Sequence, residues 1–238
     1  VLEREWAIRG AVGFRGKNTL LLDASHGPWV LLGELLVDVE MLPWAPPAAR
    51  AGHCGSCTRC LDACPTQAFD GAFLLDPRRC ISYLTIESRA AIPPPLRSAM
   101  GEWVFGCDVC LEVCPFGAHT GDHSASLGFH PALAELSLED LPTLSPEVFN
   151  KLFTGSPIRR AGAEGMARNA VVVLGNLGRG VPVLRETLAG HPSALVRGHA
   201  AWALGRIGES RQELEKARKD PDSAVRGEAE SALLCSQA

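Results

Sequence analysis

One stretch decides the reading: Cys54-Gly55-Ser56-Cys57-Thr58-Arg59-Cys60-Leu61-Asp62-Ala63-Cys64-Pro65. Its spacing is C-x2-C-x2-C-x3-C-P. Gaps of two residues let three thiolates converge on one face of a tight loop. The later cysteine, held before a proline, opens a short helix that points away. In two-cluster iron–sulfur ligation that last cysteine serves the other cluster. A second cluster therefore needs three more thiolates and its own returning Cys-Pro. Cys80, Cys107-Asp108-Val109-Cys110 and Cys114-Pro115 supply them, although Cys80 stands 27 residues before Cys107. The reading gives one cluster to Cys54, Cys57, Cys60 and Cys114, and the other to Cys64, Cys80, Cys107 and Cys110.

The pattern is that of bacterial ferredoxins, with two 4Fe–4S clusters forming an electron wire. Zinc sites favour paired knuckles over three cysteines followed by Cys-Pro. A disulfide knot suits a secreted chain, and no signal-peptide pattern is read at the start of this sequence. Of nine cysteines only Cys235 stands apart. It falls in a terminal helical pattern and reads as a small hydrophobe.

Outward from the cysteines the chain divides into four parts. Residues 1–50 read as α/β: a helix over Leu2–Gly10, a turn punctuated by Gly10, Gly13 and Gly16, and short buried strands at Thr19–Leu22 and Trp29–Leu32. Glu34–Glu40 continues as strand or irregular structure, and Pro43, Pro46 and Pro47 mark a linker. Residues 51–118 form the two-cluster module, with a helical insert near Ser82–Arg97 stopped by Pro93–Pro95. Residues 119–156 bridge, with short helices around Pro131–Glu135 and Pro146–Phe153. The chain opens at Val1-Leu2-Glu3-Arg4 without a methionine and reads as a piece of something longer. No apolar run approaches the roughly 18 residues of a membrane span.

Residues 157–238 hold an internal repeat. Met166-Ala-Arg168-Asn169 to Gly178, Leu195-Val-Arg197 to Gly208, and a degenerate Ala224-Val-Arg226 to Leu233 place an arginine every 29 residues. A fixed period of this size means stacked helix pairs, here a HEAT-like solenoid. His191-Pro192 and Asp220-Pro221 read as helix starts. Charge divides the same way. Residues 1–156 carry 11 Lys and Arg against 18 Asp and Glu, a net of −7, while residues 157–238 carry 12 against 9, a net of +3. The chain as a whole is not a basic nucleic-acid coat, but its last third suits a polyanion. Arg159, Arg160 and Arg168 open the solenoid and Arg197 extends the stripe, as phosphate contacts. Ala161-Gly162-Ala163-Glu164 interrupts that basic run. The fold class expected is α+β: a partial α/β region, a bacterial ferredoxin-like two-cluster module and a C-terminal HEAT-like α-solenoid.

The blocks together resemble one family. Val1–Arg4, Gly13-Phe14-Arg15-Gly16-Lys17-Asn18-Thr19, Cys54–Pro65, Arg79-Cys80-Ile81-Ser82-Tyr83-Leu84-Thr85, Gly106–Pro115, Arg168-Asn169 and Ala201-Trp202-Ala203-Leu204-Gly205 are similar to epoxyqueuosine reductases over essentially the whole chain. The resemblance implies a cytoplasmic, cobalamin-dependent enzyme of queuosine biosynthesis. Such an enzyme reduces the epoxide of epoxyqueuosine at the tRNA wobble position, with the solenoid holding the tRNA. It implies electrons passed singly through two clusters to the cobalt from an unidentified donor, in a monomer. It places the catalytic acid upstream of Val1, so no catalytic residue is assigned within this chain, neither Glu3 nor Asp23, and the chain alone is expected to be inactive. It makes the α/β residues 1–50 the C-terminal part of a corrinoid-binding reductase domain, and for the cobalamin it implies Lys17, Asn18, Thr19 and Leu20, with Ser82 and Asp108 beside the second cluster. His26 and His53 are not taken as cobalt ligands. Two other readings stay open: a reductive dehalogenase-like corrinoid enzyme, and a non-enzymatic electron-transfer protein with a helical-repeat arm.

Overall fold

The structure is a computed structural model that describes residues 2–23, 25–42, 52–117 and 132–235. In chain order the first elements are helix α1 (Glu3–Arg9), strands β1 (Phe14–Arg15) and β2 (Leu21–Leu22), helix α2 (Arg59–Asp62), and strands β3 (Phe69–Gly71) and β4 (Leu74–Leu75). Helices α3 (Ile81–Ile86), α4 (Pro94–Ala99), α5 (Val109–Glu112), α6 (Ala132–Glu135) and α7 (Pro146–Leu152) follow. The chain ends in α8 (Gly162–Leu177), α9 (Val181–Gly190), α10 (Ala194–Ile207), α11 (Arg211–Ala217) and α12 (Ser223–Cys235). Two compact units result: residues 1–80 with 108–127, and residues 81–107 with 128–238. The segment between Cys80 and Cys107 thus belongs with the solenoid.

The first unit is built on two antiparallel hairpins. In one, Phe14 pairs with Leu22 and Arg15 with Leu21; in the other, Phe69 pairs with Leu75 and Gly71 with Leu74. The strand expected over Thr19–Leu22 shortens to Leu21–Leu22, because Thr19 takes a left-handed turn conformation at φ 69°. The strand expected at Trp29–Leu32 does not form. Among the described residues no strand lies beside it to complete its hydrogen bonds, and Leu31 is 99% exposed. Glu34–Glu40 is irregular. The linker prolines Pro43, Pro46 and Pro47 and the side chain of Cys235 lie outside the described residues. Helices α2 and α5 hold equivalent places after Cys57 and Cys107, pack on each other and are each followed by Cys-Pro.

The second unit is a stack of helices. Val171, Leu174, Leu184, Val196, Leu204 and Val225 form its main core. Helices approach closely where the repeat places glycine after leucine. A Cβ on Gly175 would meet the Ala203 Cβ at 2.8 Å, and one on Gly205 would meet the Ala232 Cβ at 2.4 Å. Ser193 Oγ accepts from the Val196 N–H to cap α10, while Gly178 and Gly208, at positive φ, close α8 and α10. The repeat prolines Pro192 and Pro221 sit just outside their helices, before Ser193 and Ser223, and not at the first turn. Pro93–Pro95 do not stop a helix, as the sequence suggested. Pro94 starts α4, where its missing N–H costs nothing. A second core joins Ile81, Leu84, Ile92 and Met100 to Val172 of α8, so the inserted segment docks on the first solenoid helix.

Candidate iron–sulfur centre

In the first unit, Cys54, Cys57, Cys60 and Cys114 line one cavity of about 600 Å3, together with Lys17, Asn18, Leu22 and Phe116. The thiols stand close enough to feel one another's charge. Burial raises the Cys60 pKa, and Cys54, Cys114 and Cys57 raise it further. Burial likewise raises Cys114, with Cys54 and Cys57 adding to it. Such mutual repulsion between thiolates is relieved by a metal charge at their centre. Among the described residues, no three His, Cys, Asp or Glu side chains converge on a single-ion position. Four thiols spread around a cavity fit a four-iron cluster. The Lys17 N–H points at Cys54 Sγ (3.4 Å), the kind of contact that tunes a cluster sulfur. Phe14 meets Phe116 edge-on at 5.1 Å, anchoring the first hairpin to the Cys114 loop.

Of the remaining four cysteines, Cys64, Cys80 and Cys110 lie in the first unit and Cys107 in the second. Cys64 Sγ accepts from the Ala68 N–H at 3.3 Å. Cys80 follows a 3-10 turn, Pro77–Arg79, capped by Asp76. Cys107 packs on the Ile81–Met100 core.

The residues expected at the corrin make protein contacts of their own. Lys17 Nζ donates to the carbonyls of Gly55 (2.8 Å) and Cys57 (2.9 Å). Asn18 is buried, its Oδ1 accepting from the Leu20 N–H at 3.2 Å and its Nδ2 donating to the Cys110 carbonyl at 3.5 Å. Both side chains therefore tie the cysteine loops together. Thr19 and Leu20 are half-buried, and the Thr19 carbonyl accepts from Arg4 at 2.5 Å. Ser82 lies on α3, and Asp108 opens α5 with its pKa raised by partial desolvation. His53 Nδ1 accepts from the Gly55 N–H (3.0 Å), and His26 pairs with Asp23 (3.0 Å), so both serve local turns.

Two arginines of the expected stripe, Arg168 and Arg197, are engaged within the second unit. Arg168 is fully buried and donates to the carbonyls of Leu84 (2.6 Å), Ser88 (2.9 Å) and Ala90 (2.9 Å). Burial pushes its pKa down to about 10, which leaves it charged at neutral pH. Arg197 forks onto Asp220 at 2.9 Å and caps the carbonyls of His191 (2.8 Å) and Pro192 (3.2 Å). Arg226 repeats that cap on Asp220 (2.8 Å) and Pro221 (2.9 Å). The periodic arginine thus fastens each repeat helix to the loop before it. In the first repeat the inserted 84–90 segment takes that loop's place. Arg159 and Arg160 are exposed, and Arg160 pairs with Glu87.

Sequence reasoning passed over three buried polar residues of the second unit, Asn169, Arg97 and His199. Asn169 donates to Thr85 and Val104, while Arg97 forks onto Glu228 (2.8 and 2.5 Å). His199 Nε2 accepts from the Ile92 N–H at 3.1 Å. The only signal was the pair Arg168-Asn169 itself, and its partners lie some 65 to 84 residues away.

Residues 53–117 match the 4Fe-4S double cluster binding domain, and residues 158–234 match HEAT repeats. Over 217 residues, 88% of this chain and 58% of the relative, the chain is 48% identical to an epoxyqueuosine reductase of Pseudomonas aeruginosa. Over 225 residues, 86% of this chain and 55% of the relative, it is 43% identical to one from Burkholderia pseudomallei. This chain is a homologue of epoxyqueuosine reductases. It spans somewhat more than half the length of these curated relatives. A crystal structure of epoxyqueuosine reductase with an epoxyqueuosine-modified tRNA-Tyr stem loop superposes with a TM-score of 0.89 at 32% identity, covering 99% of this chain and 64% of that one. The Streptococcus thermophilus epoxyqueuosine reductase gives 0.87 at 28% identity, covering 100% and 64%. The homology accounts for the iron–sulfur and repeat units. Among the described residues no helix is long and apolar enough to cross a membrane.

Proposed function

We propose that this chain is the iron–sulfur and RNA-holding part of an epoxyqueuosine reductase. It would carry electrons through two 4Fe–4S clusters toward a corrinoid that acts on epoxyqueuosine in tRNA. The observation that carries the reading is the convergence of Cys54, Cys57, Cys60 and Cys114 on one cavity in a homologue of these enzymes. Cys64, Cys80, Cys107 and Cys110 would hold the second cluster by the crossed pattern. The reaction takes two electrons and two protons, and the epoxide oxygen leaves as water. A cluster passes one electron at a time, so two clusters suit a two-electron demand.

A corrinoid, when bound, supplies the reducing metal centre. Lys17 and Asn18 are committed to the cysteine loops, so the corrin contact left to the 17–20 segment is Thr19 and Leu20, with Ser82 and Asp108 as further candidates. The partners proposed are a tRNA carrying epoxyqueuosine and an external electron donor. The protein is proposed to act as a monomer in the cytoplasm.

The test is made on the full-length protein that contains this chain, prepared anaerobically with cobalamin and a chemical reductant. Mass spectrometry of nucleosides from epoxyqueuosine-containing tRNA should show loss of one oxygen to give queuosine. Unchanged tRNA, with both clusters loaded and reducible, overturns the assignment.

A further inference from the structure

We propose that Lys17 is the fixed positive charge that sets the reduction potential of the cluster held by Cys54, Cys57, Cys60 and Cys114. This rests on the cluster assignment proposed above. A lysine on a hairpin turn ordinarily extends into solvent, where its charge is screened and its rotamers are free. Lys17 is held instead at three points. Its own carbonyl accepts from the Phe73 N–H at 2.9 Å, and its own N–H points at Cys54 Sγ at 3.4 Å. Its ammonium bridges the carbonyls of Gly55, inside the loop between ligands Cys54 and Cys57, and of Cys57 itself. Two of the ammonium's three donors are thereby engaged, and the charge is fixed on the cavity wall.

The consequence is electrostatic. Reduction adds one negative charge to a cluster already surrounded by thiolates. The potential of such a cluster follows net local charge, hydrogen bonds to its sulfurs and solvent exposure. A cation held on the ligand loop stabilises the reduced form and raises the potential. The other cation lining this cavity, Arg59, is exposed on α2 and more open to screening by water and salt. The second cysteine set offers an internal reference, because Lys17 bonds to the Cys54–Cys57 loop.

The experiment is a mediated redox titration of the anaerobically purified chain with dithionite, followed by paramagnetic resonance, on wild type, Lys17→Gln and Lys17→Arg. Gln keeps an N–H donor for the carbonyls without the charge, and Arg keeps both. The expected result is a more negative midpoint for one cluster in Lys17→Gln, an unmoved midpoint for the other, and recovery in Lys17→Arg. Loss of one cluster in Lys17→Gln with its retention at the native midpoint in Lys17→Arg also supports the charge. Equal midpoints in all three proteins, or loss of that cluster in both variants, overturns it. Wild-type protein that takes up no iron would fail the cluster assignment instead, before Lys17 is tested.

Discussion

Asn169, on the first solenoid helix, donates through Nδ2 to the Thr85 carbonyl at 2.8 Å. The same amide nitrogen donates to the Val104 carbonyl at 2.8 Å, and the Thr85 hydroxyl accepts from the Gly106 N–H at 3.0 Å. Gly106 directly precedes Cys107, so α8 fixes the backbone that delivers one thiol of the second set. Thr85→Val keeps the shape and removes the acceptor. We expect a broadened or lost resonance from one cluster, with the other unchanged. Thr85→Ser, which keeps the hydroxyl, should restore it. Two native cluster spectra in Thr85→Val would separate α8 from the cluster site.

Arg168 is a stability residue. Removing its guanidinium strands the carbonyls of the buried Leu84 and Ser88, each costing about 1–3 kcal/mol when left unpaired. Arg168→Ala should lower the unfolding free energy by roughly 3–5 kcal/mol, read from the denaturant midpoint. Arg168→Lys cannot reproduce the fork and should recover only part of it. A loss under about 0.5 kcal/mol, typical of a surface site, would contradict the burial.

His199 makes the second unit acid-sensitive. Burial, with the nearby Arg97 guanidinium, pushes its pKa from 6.5 down to about 3. Its ring is neutral when folded, donating from Nδ1 to the Leu195 carbonyl and accepting at Nε2 from the Ile92 N–H. Below pH 6.5 the unfolded chain binds a proton that the folded chain refuses. Stability is therefore full above that pH and falls as the pH drops toward 3, by about 1.4 kcal/mol per unit. Denaturant midpoints at pH 7.5, 6 and 5 should show this slope, and His199→Gln should reduce it. Equal slopes in the two proteins would remove His199 as its source.

What could be read from the sequence follows the range of the interactions. Ligand spacing is local, so Cys54–Pro65 and Cys107–Pro115 declared their chemistry directly. The 29-residue period is also local, and the helix pairs follow from it. The role of the periodic arginine was not legible, because phosphate contact and helix fastening call for the same residue at the same spacing. Asp220, placed 23 residues from Arg197, decides between them, and only the fold brings the two together. Trp29–Leu32 is the converse case. Its apolar run resembles a buried strand, but burial depends on a neighbour that the described residues do not supply.

The ligand sets can be separated by iron content. Wild-type chain should bind about eight irons, two clusters of four. Cys54→Ala and Cys114→Ala should each abolish the same resonance, and Cys64→Ala and Cys80→Ala the other one. If Cys54 and Cys64 instead report on one cluster, the crossed ligation is wrong, whatever the iron count.

With Arg168 and Arg197 committed inside the fold, the RNA contact proposed for the start of the solenoid would rest on Arg159 and Arg160. Both are exposed, and Arg160 shares its charge with Glu87, so Arg159 should carry the larger part. Phosphate contacts release counterions, which makes affinity fall with salt in proportion to their number. Replacing both arginines by alanine in the full-length protein should weaken binding of the tRNA stem loop about tenfold and lower the salt slope by roughly one to two units. Folding free energy should move by less than about 1 kcal/mol, since an exposed ion pair contributes little. Glu87→Gln gives the opposite sign: it frees Arg160 and should tighten binding at low salt. Fluorescence anisotropy across a salt series reads all three proteins. Identical slopes for wild type and the double variant would move the RNA contact away from this end of the solenoid.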